Sequence, residues 1–134
     1  MKTATLATLV SLLSITGAVL ASPLESAHLD KRATCVDLDY RPLSEAEACL
    51  NFLRGRGDQD CHVSGANQNF CEDGHTVIVG SNIRNKKEGV TSACRDVALA
   101  VQQIIDTCTR GDEVTAGNAY ANGNGDLLVA ITYG

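Results

Sequence analysis

Residues 91–108, T-S-A-C-R-D-V-A-L-A-V-Q-Q-I-I-D-T-C, decide the fold that this sequence predicts. The apolar residues of this stretch recur at helical spacing and form one stripe: Cys94, Val97, Ala98, Val101, Ile104, Ile105 and Cys108. Polar residues fill the opposite side. Thr91 or Ser92 is suited to cap the start of the helix, and Gly111 follows its end. A cysteine at each end of the stripe predicts that the helix is tied twice to its surroundings.

Patterns on either side of that helix predict the remaining secondary structure. Ser44 and Glu47 make a capping box, and the apolar residues that follow recur at helical spacing, so a second helix is predicted at about residues 44–54. Gly55 and Gly57 end that helix. Alternating or β-branched segments predict strands at residues 35–40, 61–63, 70–72, 75–79, 114–121 and 126–133.

Turn residues join these strands into hairpins. Asp73-Gly74 predicts a two-residue turn, and N-G-N-G at residues 122–125 predicts another. Without the short segment at residues 61–63, the order is β-α-β-β-α-β-β, which predicts an α+β fold, a two-layer α/β sandwich with a mainly antiparallel sheet and both helices on one face. The last strand has apolar residues on both faces, which is typical of a central strand.

The N-terminus has the pattern of a secretory signal peptide. Lys2 precedes a mostly apolar run, and the small-residue site that ends at Ala21 suits cleavage there. Residues 1–21 are therefore predicted to be a signal peptide. The apolar run is too short and too rich in Ser and Thr for a membrane span.

A short polar segment follows the predicted signal peptide. Residues 22–32 end in the dibasic pair Lys31-Arg32, which resembles a processing site of the fungal secretory type, so we predict a pro-peptide. Residues 33–134 would then be the mature protein, secreted to the extracellular space, and they suffice for a single small domain.

The six cysteines all fall within the predicted mature domain, and six in so small a secreted domain predict three disulfide bonds. A metal site is the alternative, but the closest cysteines are ten residues apart, which is wider than usual metal-ligand spacing. Cys94 and Cys108 cannot pair with each other, because about 21 Å of helix separates them and a disulfide needs Cα atoms within about 7 Å. The set of bonds that we prefer is Cys35–Cys108, Cys71–Cys94 and Cys49–Cys61.

The predicted mature domain is acidic. It holds eight Lys and Arg against fourteen Asp and Glu, a formal charge of −6. An acidic surface without a long basic run argues against nucleic acid or an anionic membrane as the partner. No cofactor motif, nucleophile elbow or metal-ligand spacing occurs in the sequence. We predict a monomer without a cofactor that acts on a protein target rather than as an enzyme.

A catalytic role is the alternative. His62 and His75 are the only histidines of the predicted mature domain, and with Glu72, Arg84 and Tyr40 they could form a general acid–base site for RNA cleavage. Their spacing matches no ribonuclease motif, and a polar residue just after a hairpin turn is ordinary. A small secreted hydrolase of ribonuclease type, using His62 or His75, is therefore the second hypothesis.

Several motifs of the second half form a recognisable arrangement. They are F-C-E-D-G at residues 70–74, T-S-A-C-R at 91–95, Cys108, A-G-N at 116–118 and G-D-L-L-V-A-I at 125–131. In this arrangement the chain resembles the secreted fungal killer-toxin-like proteins of the KP4 and KP6 type, which occur among effector candidates of plant-associated fungi. The resemblance implies a sandwich fold and a role in virulence or growth inhibition through binding of a host or competitor target.

Overall fold

The computed structural model describes residues 33–134, which form nine strands and two helices. In chain order these are β1 (Thr34–Cys35), β2 (Arg41–Pro42), α1 (Leu43–Arg56), β3 (Asp60–Val63), β4 (Asn67–Asp73), β5 (Thr76–Asn82), β6 (Val90–Ala93), α2 (Cys94–Cys108), β7 (Val114–Thr115), β8 (Gly117–Ala121) and β9 (Asn124–Tyr133). The predicted signal peptide, 1–21 with Ala21, and the predicted pro-peptide, 22–32 with Lys31 and Arg32, lie outside the described residues.

A five-stranded antiparallel sheet forms one layer of the domain. Its strands lie in the order β1-β8-β9-β5-β4, so β9 is a central strand, as its sequence pattern predicted. Two short ladders, β2–β7 and β3–β6, flank the sheet. The helices contact each other, and α1 packs on β4 and β5 while α2 packs on β8 and β9. The predicted α+β fold with two helices, a mainly antiparallel sheet and three disulfides is confirmed.

The core lies between the helices and the sheet because each element buries one stripe of apolar residues. Val97, Val101 and Ile104 of α2 are fully buried. Alternate residues of β9, such as Leu127 and Val129, are also fully buried because successive side chains of a strand point to opposite faces. The buried stripe of α1 consists of Ala46, Cys49, Leu50 and Leu53. The apolar periodicity therefore predicted correctly which side of each helix faces the core.

The first strand is much shorter than the predicted strand at residues 35–40. Strand β1 ends at Cys35, and the following residues form bends in which Leu38 is exposed. The Tyr40 hydroxyl donates a hydrogen bond of 2.7 Å to the Asp37 carboxylate. Asp39 has a φ of 57°, a left-handed conformation that Asp tolerates better than most residues. These local features replace the predicted alternation with a compact loop.

The capping box predicted for α1 is wrong. The helix begins at Leu43, one residue before Ser44, and Pro42 occupies the N-cap position without a side-chain hydrogen bond. The Leu43 N–H donates to the carbonyl of Glu113, at 2.9 Å. A backbone carbonyl from a distant segment thus accepts the hydrogen bond of the first helix amide. The sequence predicted a side-chain cap from Ser44 instead.

Thr91 and Ser92 do not cap α2, because both lie in β6 and pair with β3. The first two N–H groups of the helix donate instead to the carbonyls of Gln59 and Gly57, at 2.8 and 2.9 Å. The predicted strand at residues 61–63 is confirmed as part of β3.

Both predicted hairpins form, and the turn of the first is shifted by one residue. The β4–β5 hairpin pairs Asp73 with Thr76, so its two-residue turn is Gly74-His75 rather than Asp73-Gly74. Gly74 supplies the positive φ, 59°, that the turn requires. In the second hairpin, Ala121 of β8 pairs with Asn124 of β9 around a two-residue turn.

The structure contains three disulfide bonds, Cys35–Cys108, Cys49–Cys71 and Cys61–Cys94. The first was predicted, whereas the predicted Cys71–Cys94 and Cys49–Cys61 bonds are wrong. Both errors have one physical cause: the predicted pairs placed the β4–β5 hairpin beside the start of α2, whereas it packs against α1. The hairpin lies under α1, so Cys71 meets Cys49. Strand β3 pairs with the strand that leads into α2, and Cys61 therefore lies beside Cys94.

Candidate functional site

His62, one of the two predicted catalytic histidines, lies exposed on β3. Its Nδ1 is 2.5 Å from the Oγ1 of Thr91 on the paired strand β6. The ring also lies against Gly89, where an added Cβ would come within 2.8 Å of it. The histidine thus contacts the residues of its own ladder and of the loop that leads into β6.

His75, the other predicted catalytic histidine, lies in the turn between β4 and β5. Its ring meets the Tyr133 ring edge-on, with 6.0 Å between the centroids. Its carbonyl accepts a hydrogen bond from the Gly134 N–H, at 3.0 Å. The Arg41 guanidinium lies over the Tyr133 ring, 5.0 Å from its centroid.

The two histidines lie toward opposite ends of β5. His75 directly precedes the first residue of that strand, whereas Asn82 at its other end donates hydrogen bonds to the carbonyls of Gly65 and Ala66, just after β3. A strand of this length spans about 20 Å. A two-histidine acid–base site needs both rings within reach of one substrate group, and the structure does not bring these two together.

The remaining residues of the predicted catalytic set also have separate partners. The Arg110 guanidinium lies 4.7 Å from the centroid of the Tyr40 ring, and its proximity to Tyr40 is the main cause that raises the pKa of Arg110. The Arg84 guanidinium lies 3.0 Å from the Asp126 carboxylate. The Glu72 carboxylate accepts a hydrogen bond of 3.4 Å from the amide of Asn69.

Among residues 33–134, no group of three His, Cys, Asp or Glu side chains is placed to hold a metal ion. None of the helices described here is long and apolar enough to cross a membrane.

A groove of about 440 Å³ lies between α1 and β4. Its lining consists of Ala48, Phe52, Asn69, Phe70, Cys71, Glu72 and Asp73. We call this surface the α1–β4 groove. Ala48 and Phe52 lie one helical turn apart on the exposed side of α1, beside the buried stripe of the same helix.

Two contacts set the direction of α1 relative to β4. The Glu45 carboxylate lies against Gly74 and accepts a hydrogen bond of 2.7 Å from the hydroxyl of Thr76. One turn further along the helix, Cys49 is bonded to Cys71. The helix and the strand are therefore antiparallel. The start of α1 lies at the hairpin end of the groove, and the last turns of α1 lie towards Asn69.

A β-bulge shapes the floor of the groove. The pairing of β4 with β5 shifts between Asn69 and Cys71, which leaves Phe70 as the extra residue. The Phe70 ring lies over Gly80 of β5, in space that any Cβ on that glycine would occupy. Cys71 also points to the helix side, since it is bonded to α1. Two consecutive side chains thus face the helix.

The two ends of the groove differ in charge. Glu72 and Asp73 are exposed at the hairpin end, where the Glu45 carboxylate also lies, 4.0 Å from the Arg41 guanidinium. At the other end the Phe52 side chain is 51% exposed, and the Arg56 guanidinium lies 5.9 Å from the centroid of its ring. The groove therefore has an acidic end and an aromatic end that carries one cation.

Sequence reasoning did not find this groove. Phe52 lies outside the apolar stripe of α1, and an aromatic residue on the polar side of a helix was the signal that could have indicated a binding surface. The other wall could not be predicted, because it depends on the Cys49–Cys71 bond and on the bulge at Phe70.

The comparison with protein families identifies one match, to a domain of unknown function, DUF8794, over residues 30–133. The match covers well over half of the chain, so the chain belongs to this family. No curated protein and no solved structure matches the chain.

Proposed function

Membership of the DUF8794 family assigns no activity, and we propose that residues 33–134 are the mature domain of a secreted, small cysteine-rich effector of the killer-toxin-like kind. It acts by binding a protein of a host or of a competing microbe rather than by catalysis.

The separation of the predicted catalytic residues is the observation that carries this proposal. His62 contacts Thr91 on the β3–β6 ladder, whereas His75 contacts Tyr133 at the far end of β5. A binding protein needs only a shaped and chemically distinct surface, and the α1–β4 groove is such a surface.

Secretion is supported by the disulfide bonds. Three bonds in about 100 residues are typical of extracellular proteins, because the cytosol keeps thiols reduced. The signal-peptide pattern at residues 1–21 and the dibasic pair Lys31-Arg32 point the same way. The acidic charge favours a protein target over nucleic acid.

The proposal is tested with the purified, oxidised domain of residues 33–134. We expect it to provoke or suppress a response when it is infiltrated into plant leaves, or to inhibit growth of competing fungi or bacteria in a halo assay. The reduced and alkylated domain is the control, since it has the same composition without the disulfide-bonded fold. Absence of any response and of any bound protein, across several hosts and microbes, would contradict the proposal.

A direct assay tests the hydrolase hypothesis. The oxidised domain is incubated with single-stranded and double-stranded RNA, alongside the variants His62→Ala and His75→Ala. We expect no cleavage by any of the three. Cleavage by the wild-type domain that disappears in either variant would replace the effector proposal with a ribonuclease.

A further inference from the structure

We propose that the α1–β4 groove binds an extended segment of the partner protein, which pairs with the outer edge of β4. The segment places an apolar side chain beside Phe52 and directs basic side chains to Glu72 and Asp73. This inference rests on the proposed binding function and names the surface and the chemistry of the partner.

The position of β4 in the sheet supplies the first argument. Within the part of the chain that the structure describes, β4 pairs with β5 on one side and ends the sheet on the other. In an antiparallel ladder alternate residues direct their N–H and C=O groups away from the partner strand. Alternate residues of the seven-residue strand β4 therefore offer backbone groups to an added strand. The opposite edge strand, β1, has only two residues and offers much less.

The groove beside this edge supplies the second argument. Strand addition gives affinity through the backbone, and specificity comes from pockets that accept alternate side chains. The half-exposed Phe52 ring and Ala48 form an apolar wall next to β4, and Phe70 forms the floor. An apolar side chain of the added strand that points towards α1 would fill this space. The Cys49–Cys71 bond holds the wall and the floor at a fixed distance.

The charge of the groove decides the occupant. Glu72 and Asp73 are consecutive residues at the hairpin end, and successive side chains of a strand point to opposite faces, so they favour Lys or Arg on both faces of the segment bound there. A second copy of this chain is disfavoured, because the described domain has a formal charge of −6 and its β4 carries the same two carboxylates. A partner segment with basic residues near one end and an apolar residue towards the other fits both ends of the groove.

A random decapeptide library displayed on phage is the first probe, selected against the immobilised oxidised domain. We expect the enriched sequences to contain two basic residues and at least one large apolar residue. Enrichment of acidic sequences, or none at all, would overturn the inference. The most enriched sequence is then synthesised, and its dissociation constant is measured by fluorescence polarisation.

Two matched pairs of variants locate the binding. Phe52→Ala should weaken binding of the synthetic peptide about tenfold, as expected for an aromatic anchor, whereas Leu99→Ala, which shortens an exposed apolar side chain of α2, should leave it unchanged. Glu72→Lys combined with Asp73→Lys should abolish binding and select acidic peptides from the library. Asp106→Lys combined with Asp112→Lys makes the same charge change elsewhere and should not. Equal effects of both members of a pair would overturn the inference.

Amide hydrogen exchange tests strand addition itself. The peptide should slow the exchange of amides in β4 and leave those of β8 unchanged. Binding without this protection would mean that the groove accepts a side chain or a small molecule only, which contradicts strand addition. Sedimentation of the domain without peptide should give the mass of a monomer, and a dimer that Glu72→Lys with Asp73→Lys dissociates would identify a second copy as the occupant.

The effector proposal and the groove inference can fail separately. A target recovered with the wild-type domain that binds Phe52→Ala and the Glu72→Lys/Asp73→Lys variant equally well would overturn the groove inference and leave the effector proposal in place. Absence of any target or response, as described above, would contradict both.

Discussion

The two helices are of nearly equal length, yet they relate to the sheet in different ways. Eight of the fifteen residues of α2 are buried, and disulfide bonds hold both of its ends, to β1 and to β3. Helix α1 buries four of its fourteen residues and is bonded once, near its middle, to the edge strand β4. The difference indicates a division of roles. Helix α2 stabilises the domain, whereas α1 needs one buried stripe only and leaves its side next to β4 available for binding.

Loss of the disulfide bonds should give the largest effects and should follow this division. In the chain-entropy model, the Cys35–Cys108 bond, with a sequence separation of 73, contributes about 4 kcal/mol to the free energy of unfolding. The Cys49–Cys71 bond of α1, with a separation of 22, contributes about 3 kcal/mol in the same model. We replace both cysteines of each pair by Ala and compare melting temperatures under non-reducing conditions.

The Cys61–Cys94 bond, with a separation of 33, is the intermediate case in this series. The expected order of melting temperatures is lowest for the Cys35/Cys108 variant and highest for the Cys49/Cys71 variant. If the Cys49/Cys71 variant melts lowest, α1 rather than α2 is the helix whose attachment holds the domain together.

Shortening a buried side chain of α2 should have the next largest effect. Ile104→Ala removes a fully buried side chain and leaves a cavity, which lowers the free energy of unfolding by about 3 kcal/mol. Leu99→Ala on the same helix and Phe52→Ala on α1 remove exposed side chains, and each should change it by less than about 0.5 kcal/mol. Urea unfolding followed by circular dichroism measures all three.

The Phe52→Ala result sharpens the comparison between the helices. A small effect on stability together with a large effect on peptide binding would identify Phe52 as a residue of the binding surface. A loss of stability close to that of Ile104→Ala would mean that the ring is part of the core, and the division of roles between the helices would be wrong.

Two glycines with positive φ, each in a two-residue hairpin turn, allow the contact between Glu45 and the β4–β5 turn to be measured. Gly74 and Gly123 lie in two-residue turns and have φ values of 59° and 76°. Ala at either position adopts a left-handed conformation that costs about 1–2 kcal/mol. Gly74→Ala also displaces the Glu45 carboxylate, whereas a Cβ at Gly123 meets no atom within 4 Å. Gly74→Ala should therefore lower the free energy of unfolding more than Gly123→Ala.

A double-mutant cycle isolates that contact. In a Glu45→Ala background the two glycine variants should become equally destabilising, because the carboxylate is no longer there to be displaced. A difference that persists in this background would show that the contact between Glu45 and Gly74 is not its cause.

The sequence predicted features within one segment better than contacts between distant segments. Apolar periodicity identified both helices and the buried face of each, since burial follows from spacing along one segment. The Cys35–Cys108 bond was also predicted, but the partners of Cys49 and Cys61 were not. Their partners depend on which helix the β4–β5 hairpin packs against, and no local pattern encodes that choice.

The candidate site was less predictable than the fold for a related reason. His62 and His75 were catalytic candidates because imidazole is a common general acid or base, yet they lie toward opposite ends of β5. The groove arises where a helix, a bulge and a disulfide meet, and only Phe52 on the polar side of α1 was visible in the sequence. The N-terminal caps of both helices were mispredicted, because backbone carbonyls from other segments accept hydrogen bonds from the first amides. A Ser or Thr near the start of a helix does not indicate such distant partners.

The smallest effect should come from the ion pair between β9 and the loop that precedes β6. Asp126 of β9 contacts Lys86 at 2.8 Å and thereby holds the loop that leads into β6 and α2. The hydrogen bond to Lys86 lowers the pKa of Asp126 below its ordinary value of 3.8. A carboxyl group with a lowered folded-state pKa stabilises the fold above its unfolded pKa, and this contribution is lost as the pH falls through the folded pKa.

The melting temperature of the wild type should therefore exceed that of Asp126→Asn at pH 6, and the difference should shrink below about pH 4. Because the pair is exposed to solvent, the difference should also shrink in high salt. Asp106→Asn is the control and should show a smaller difference at pH 6, because this exposed carboxylate of α2 accepts a hydrogen bond from the neutral Gln102 side chain. A difference for Asp126→Asn that does not change with pH would mean that the side chain stabilises the loop through shape rather than charge.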